Sequence, residues 1–206
     1  MPPNQLVVAT RNIGKLAEFK RLLGNLPYQL TSLAELNIAS PAETGSSFAA
    51  NALLKAQHAA NLTGSAAIAD DSGLEVDALQ GAPGIFSARY AGPQADDAAN
   101  NAKLIVALKN VPKDQRRARY VCALAFVGTR DGQEGLAHQE APVLAEATWE
   151  GYILEAPCGS GGFGYDPYFW VTEKKMSAAE LDPAEKNRLS HRGRAMALML
   201  TRLSHP

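Results

Sequence analysis

Apolar positions fall along this chain in short runs and spaced stripes. Residues 5–9, Gln-Leu-Val-Val-Ala, read as a buried strand, and Leu16, Phe19, Leu23 and Leu26 then recur at helical spacing, which predicts a strand-turn-helix unit. The stretch 28–32 is less regular. Residues 46–61 predict a helix with Phe48, Ala52, Ala56 and Ala59 on its apolar side and Ser46 or Ser47 as its cap. Residues 66–69 form an uninterrupted apolar run that fits a strand buried on both faces, with Ser72-Gly73 turning the chain beyond it. Leu74, Val76 and Ala78 alternate with Glu75 and Asp77 as a second strand with one wet face. Residues 95–108 look helical and 120–127 read as a strong buried strand, preceded by the basic run 116–119 as a solvated edge. Residues 143–148 and 152–154 suggest further strands, and Ser190 suits the cap of a last helix carrying Met196, Met199 and Leu203. This order of elements predicts an α/β protein, a mixed sheet flanked by helices.

The central apolar run ends in two adjacent carboxylates, Asp70 and Asp71. Open α/β sheets bind ligands at strand carboxyl ends, so these residues are the first candidates for chemistry. Successive strand side chains point to opposite faces, so one carboxylate can face a pocket while the other braces the turn or meets solvent. Mg²⁺, which takes one or two carboxylates plus phosphate oxygens, suits such a place; so does a plain polar strand end.

The first turn, Thr10-Arg11-Asn12-Ile13-Gly14-Lys15, places a hydroxyl, an amide, a glycine and a cation at a helix N-terminus, where free N–H groups favour an anion. It is not a Walker A loop, because Ala9 stands where the first glycine belongs and Leu16 follows the lysine. The same residues also suit a simple Asn12 cap with a solvated Lys15. Ser47, Asn51 and Lys55 fall at i, i+4 and i+8 and form one polar stripe rather than a scattered exterior, the usual pattern of a solvated face. Glu43 lies just upstream as a possible second metal ligand.

Composition narrows the function. The 206 residues carry a formal net charge of -1, which gives no global attraction to polyanions and disfavours a general nucleic-acid binder. Cys122 and Cys158 form neither a metal spacing nor a disulfide framework, and no secretory segment or membrane-length apolar run is present; a cytoplasmic protein is expected.

Gly159-Ser-Gly161-Gly-Phe163-Gly164 matches G-x-G-x-x-G, but the strand-like aromatics and Pro167 that follow exclude the helix a dinucleotide fingerprint needs. An RNA-recognition aromatic motif fails too, lacking its leading basic residue. What remains is a glycine-rich loop presenting Phe163 and Tyr165, either to stack a flat base or to fill core. Two potentially cationic side chains, His191 and Arg192, stand in the first turn of the last helix and oppose its dipole at a cost of about half a kcal/mol each unless something offsets it. A base carbonyl or phosphate would do so.

Together these segments resemble the inosine triphosphate pyrophosphatase family, the dITP/XTP pyrophosphatases. The matching residues are Thr10-x-Asn12-x-x-Lys15, Glu43-Thr-Gly45 with Phe48-x-x-Asn51-Ala-x-x-Lys55-Ala56, Ala69-Asp-Asp-Ser-Gly-Leu74, Gly81-x-Pro83-Gly84 through Ser87-Ala-Arg89-Tyr90, Gly161-Gly-Phe-Gly-Tyr-Asp-Pro167 and Ser190-His-Arg-Gly193, in family order. The resemblance implies one domain over residues 1–206, an elongated mixed sheet with helices in two lobes, a central nucleotide cleft and a homodimer. It further implies that Thr10, Arg11, Asn12, Ile13, Gly14 and Lys15 hold the triphosphate, and that Asp71 binds Mg²⁺ with Glu43 and acts as the base. Ser72 would contact substrate; Phe163, Gly164, Tyr165 and Asp166 would receive the base; Lys186, His191 and Arg192 would read its oxygen-bearing edge. Ala42 and Ala50 stand where the family often carries acidic residues, which leaves more of the metal to Glu43. The implied reaction is Mg²⁺-dependent hydrolysis of ITP, dITP or XTP to the nucleoside monophosphate and pyrophosphate, with no nucleic-acid or membrane partner. Rival readings are a pyrophosphatase for other modified nucleotides, pyrimidines included, a nucleotide sensor without turnover, and an RNA-binding module.

Overall fold

The computed structural model describes residues 5–24, 28–128 and 141–204. Among these residues the strands are β1 (Gln5–Val8), β2 (Gln29–Ser32), β3 (Ala66–Val76), β4 (Arg117–Val127), β5 (Val143–Ile153), β6 (Phe169–Val171) and β7 (Met176–Ser177). The α-helices are α1 (Ile13–Leu23), α2 (Phe48–Thr63), α3 (Asp97–Ala107), α4 (Pro183–Leu189) and α5 (His191–Ser204). The strands form one mixed seven-stranded sheet in the order β2-β1-β3-β4-β5-β6-β7. Strand β1 runs parallel to both β2 and β3, whereas β5, β6 and β7 pair antiparallel.

Leu26, expected on the first helix, lies outside the described residues. The irregular stretch 28–32 contains β2, whose Leu30 pairs with Leu6 of β1. The expected break at Ser72-Gly73 does not occur, since β3 runs unbroken from Ala66 to Val76. Ser and Gly favour turns in isolation, but β3 neighbours β4 in the sheet and its Leu74 and Val76 are buried in an apolar core, which keeps the chain extended beyond its pairing with β1 at residues 66–68. Asp70 and Asp71 therefore stand in mid-strand rather than at a carboxyl end. The two strands expected within 143–154 are likewise the single strand β5. Of the basic run, Arg116 is buried and donates to the carbonyls of Leu108 and Val111, while Arg119 bridges Glu75, Asp77 and Glu150. Expectation and structure agree on the caps: Asn12 holds the start of α1, and Ser47, rather than Ser46, that of α2.

The described residues divide into two compact units: those within 1–71, 122–147 and 192–206 form the first, those within 72–121 and 148–191 the second. In the first, Leu6 and Val8 of β1, Ala66 and Ile68 of β3, and Cys122, Leu124 and Phe126 of β4 pack with Phe19 and Leu23 of α1 and Met196 and Met199 of α5. The intervening Val7, Ala67 and Ala69 are buried as well, so both faces of these strands are covered, which is why they read as continuous apolar runs. The core of the second unit gathers Leu74, Val76, Leu104, Leu108, Tyr120, Trp149, Phe169 and Val171.

Candidate active site

In the first unit, pleat alternation sends the adjacent carboxylates of β3 to opposite faces. Both are buried, at 2% exposure for Asp70 and 5% for Asp71, so neither meets solvent. Asp70 turns toward α1 and α5. Its Oδ2 lies 3.0 Å from Lys15 Nζ and accepts from Arg192 Nε and Nη2 at 3.2 and 2.9 Å, while Arg192 Nη1 also donates to Glu18. Burial alone would raise the pKa of Asp70, but Lys15, Arg192 and Lys55 outweigh it and hold the carboxyl well below the usual range. The guanidinium loses by burial and gains more from Asp70 and Glu18, so its pKa rises.

Asp71 turns toward α2. Its Oδ2 accepts from Asn51 Nδ2 at 3.2 Å and its Oδ1 from Lys55 Nζ at 2.7 Å, and the same ammonium reaches Glu43 Oε1 at 2.9 Å. Asn51 Oδ1 in turn accepts the Gly45 N–H at 2.7 Å, which ties the loop carrying Glu43 to the helix. The polar stripe of α2 is thus an interior wall, with Asn51 at 0% and Lys55 at 7% exposure. Burial raises the pKa of Asp71, and Glu43 adds to this against the opposing pull of Lys55 and Lys15; the result lies above the ordinary carboxylate value. Burial disfavours the Lys55 ammonium, yet Asp70, Asp71 and Glu43 together raise its pKa.

The phosphate-loop candidates sit at the start of α1. Asn12 accepts the Lys15 N–H through Oδ1 at 3.0 Å, and its own N–H donates to Thr10 Oγ1 at 3.1 Å. Thr10 is buried, Gly14 half-buried, and Ile13 protrudes at 84% exposure. Arg11 is exposed and donates to the Ile38 carbonyl at 3.3 Å.

In the second unit, Ser72 follows Asp71 along β3 and is half-buried. The glycine-rich loop closes on Asp166, whose Oδ2 accepts the Phe163 N–H at 2.8 Å and Lys186 Nζ at 2.6 Å, while Tyr120 Oη donates to its Oδ1 at 3.3 Å. Gly162 permits this approach: its φ is +74°, and a Cβ there would collide with the Asp166 carboxylate. Lys186 Nζ also lies 4.9 Å from the centroid of the half-buried Phe163 ring, a cation over an aromatic face. Tyr165, expected to be presented beside Phe163, is instead buried and donates its hydroxyl to the Ser87 carbonyl at 2.8 Å; burial raises its pKa. A phenol can enter a core once its O–H finds an acceptor. His191 packs flat on Tyr120, with ring centroids 4.6 Å apart and planes 8° apart.

The structure thus brings Glu43 and Asp71 together through Lys55, joins Lys15 to Arg192 through Asp70, and joins Phe163 to Lys186 through Asp166. Arg192, expected to read a purine edge and found in the first unit, has its guanidinium held by Asp70 and Glu18; these carboxylates supply the offset to the helix dipole that a ligand was expected to give. A ligand would have to draw it from both. Sequence reasoning named Asp70 as a candidate and noted Asn51 and Lys55 without giving any of the three a role, and it missed Glu18. The i, i+4, i+8 spacing of Asn51 and Lys55 was the available signal, whereas the Glu18–Arg192 pair spans 174 residues and leaves no local trace.

Among the described residues no three His, Cys, Asp or Glu side chains cluster as a metal site. The oxygens of Glu43 and Asp71 nonetheless converge on one positive charge, and they are the hard donors that Mg²⁺ prefers. The donor set fits that ion with the remaining ligands supplied by phosphate and water.

A family model described as the Ham1 family matches residues 6–202. A protein of Pseudomonas syringae pv. tomato named dITP/XTP pyrophosphatase is 54% identical over 199 residues, covering 97% of this chain and 96% of that protein. One of the same name from Vibrio cholerae is 49% identical over 192 residues, covering 93% and 92%. A solved structure described as a HAM1 protein from Coxiella burnetii superposes with a TM-score of 0.85 at 42% identity, covering 99% of this chain and 100% of that one.

Proposed function

Because the chain belongs to the Ham1 family, we propose that it is a dITP/XTP pyrophosphatase, residues 1–206 acting as a single domain that hydrolyses ITP, dITP and XTP to the nucleoside monophosphate and pyrophosphate. The observation that carries this reading is the Asn51–Asp71–Lys55–Glu43 cluster. It holds a buried carboxylate of raised pKa beside a second carboxylate and a cation. A carboxylate tuned upward is suited to accept a proton from water.

In this mechanism Lys15 and the N–H groups at the start of α1 take the triphosphate, where positive charge meets the helix dipole. Asp71 orients a water and accepts its proton as the water oxygen bonds to the α-phosphorus. The bond from that phosphorus to the bridging oxygen breaks, and pyrophosphate leaves. Asn51 fixes the plane of the Asp71 carboxylate, and Lys55 restrains its charge. Glu43 and Asp71 would hold Mg²⁺, which when bound neutralises phosphate oxygens. Phe163 would stack on the base within the loop ending at Asp166, and His191 and Lys186 would meet its polar edge. A site that hydrogen-bonds the 6-oxo group rejects adenine, whose amino group would leave those donors opposed. Arg192 serves here as the anchor of Asp70. A cytoplasmic homodimer without nucleic-acid partner belongs to the same proposal; among the described residues no helix is long and apolar enough to cross a membrane.

Pyrophosphate release from dITP, XTP and ATP, each with Mg²⁺ and with EDTA, tests the reading. Turnover of dITP and XTP with Mg²⁺, little of ATP and none in EDTA is expected. Equal turnover of ATP would remove the purine-edge assignment, and release of orthophosphate instead of pyrophosphate would end the reaction class.

A further inference from the structure

Both ends of the Gly164 residue are gripped by α3. Its N–H donates to Asp97 Oδ2 at 2.6 Å, and its carbonyl accepts from Asn101 Nδ2 at 2.9 Å. Asp97 and Asn101 stand at i and i+4, so one helix face offers an ionised acceptor and an amide donor side by side. Asn101 Nδ2 also donates to the Asp97 carbonyl at 2.8 Å. These two acceptors decide which way the amide faces, because turned over it would set Oδ1 against two carbonyl oxygens. Asn101 Oδ1 is buried without a hydrogen-bond partner among the described residues, so the side chain forgoes an acceptor to keep both donated bonds.

The helix that does this is itself fixed. Asp96 caps α3 by accepting the Ala99 N–H at 2.8 Å, and Asn100 ties it to the preceding segment through the Ala91 N–H and the Ala88 carbonyl. On either side of Gly164, the Phe163 N–H is held by Asp166 and the Tyr165 hydroxyl by Ser87. Gly164 is the middle link, at φ +63°, and it has no side chain of its own with which to hold the loop. Its orientation rests on the two α3 residues.

We propose that Asp97 and Asn101 are positioning residues for base selection: by holding the Gly164 N–H and carbonyl they set the angle at which Phe163 and Asp166 meet the base. Neither residue touches substrate, and the inference rests on the assignment of residues 163–166 to the base.

The test compares Asp97→Ala, Asp97→Asn and Asn101→Leu with the wild type for pyrophosphate release from dITP and dATP, alongside hydrogen–deuterium exchange of peptides covering 160–168. Loss of the charge-assisted bond in Asp97→Ala should raise KM for dITP about tenfold, with kcat within about threefold, and lower the dITP/dATP ratio of kcat/KM by about tenfold. Exchange across the loop should speed up. Asp97→Asn, whose amide oxygen still accepts the Gly164 N–H, should recover most of the ratio, and Asn101→Leu should behave as a milder Asp97→Ala. An unchanged KM and ratio in a folded Asp97→Ala would overturn the inference while leaving the proposed reaction intact, as would an equal loss of kcat for both nucleotides. If Asp97→Ala does not fold, Asn101→Leu decides by the same criteria. A wild type that releases no pyrophosphate from dITP would overturn the reaction instead, and the exchange experiment would still report whether α3 holds the loop.

Discussion

Asp70 and Asp71 are the same residue one position apart, yet they occupy opposite electrostatic worlds. Asp70 is clamped by Lys15 and Arg192, with Glu18 behind the guanidinium, and its pKa is pushed down. Asp71 shares a single ammonium with Glu43, and its pKa is pushed up. The difference comes from the count of charges on each face of β3. Two cations against two carboxylates, Lys15 and Arg192 against Asp70 and Glu18, hold the pKa of Asp70 down; one cation between Glu43 and the buried Asp71 leaves a carboxylate that takes a proton more readily. A strand can therefore place a fixed anchor and a general base back to back, with only the pleat between them.

The comparison breaks first at Asp71→Asn. Turnover of dITP should fall about a thousandfold, within the range for loss of a general base, while dITP affinity by calorimetry stays close to wild type. Retained turnover would take Asp71 out of the reaction. Arg192→Met should cost about 3–5 kcal/mol in urea unfolding, because it removes the buried cation that Glu18 and Asp70 share. A loss below about 1 kcal/mol, the size of an exposed pair, would show that the guanidinium is not an anchor.

The two carboxylates should also pull pH dependence in opposite senses. With its folded pKa lowered, Asp70 contributes stability that is present above its unfolded value of about 3.9 and is lost as pH falls through the folded one. Asp71, with its folded pKa raised, costs stability as pH rises from that unfolded value to the folded one. Acid unfolding of Asp70→Asn should thus be shallower than wild type, and that of Asp71→Asn steeper. The acid limb of kcat/KM should lie above the ordinary carboxylate value, and Lys55→Met, by removing the opposing charge, should move it further up. A limb that stays put would separate Lys55 from the titration of Asp71. The smallest effect is expected from Ser47→Ala, which deletes the cap of the helix presenting Asn51 and Lys55 and should lower stability by about 1 kcal/mol in the same urea assay.

Much of this was readable in the chain. The runs at 5–9 and 120–127 announced buried strands and that at 66–69 one covered on both faces, because apolar neighbours leave a continuous apolar run, and the caps at Asn12 and at Ser46 or Ser47 announced helices because their chemistry is local. The turn at Ser72-Gly73 was misread because propensity describes an isolated backbone, whereas β3 is kept extended by its place beside β4 and by the burial of Leu74 and Val76. Whether Tyr165 faces a ligand or fills core stayed open in the sequence, since nothing nearby reveals the Ser87 carbonyl that lets its hydroxyl be buried.

The sequence by itself determined which residue types are available and at what local spacing: the adjacent carboxylates, the polar stripe of α2, the glycines that let a loop close on Asp166, and the ordered motifs that mark the family. Tertiary structure alone decided which cation each carboxylate receives. Lys15, Lys55, Arg192 and Lys186 are equivalent positive charges on paper. Only the packing of helices against strands, through contacts between residues far apart in the chain, makes Arg192 an anchor and Lys55 the partner of a base.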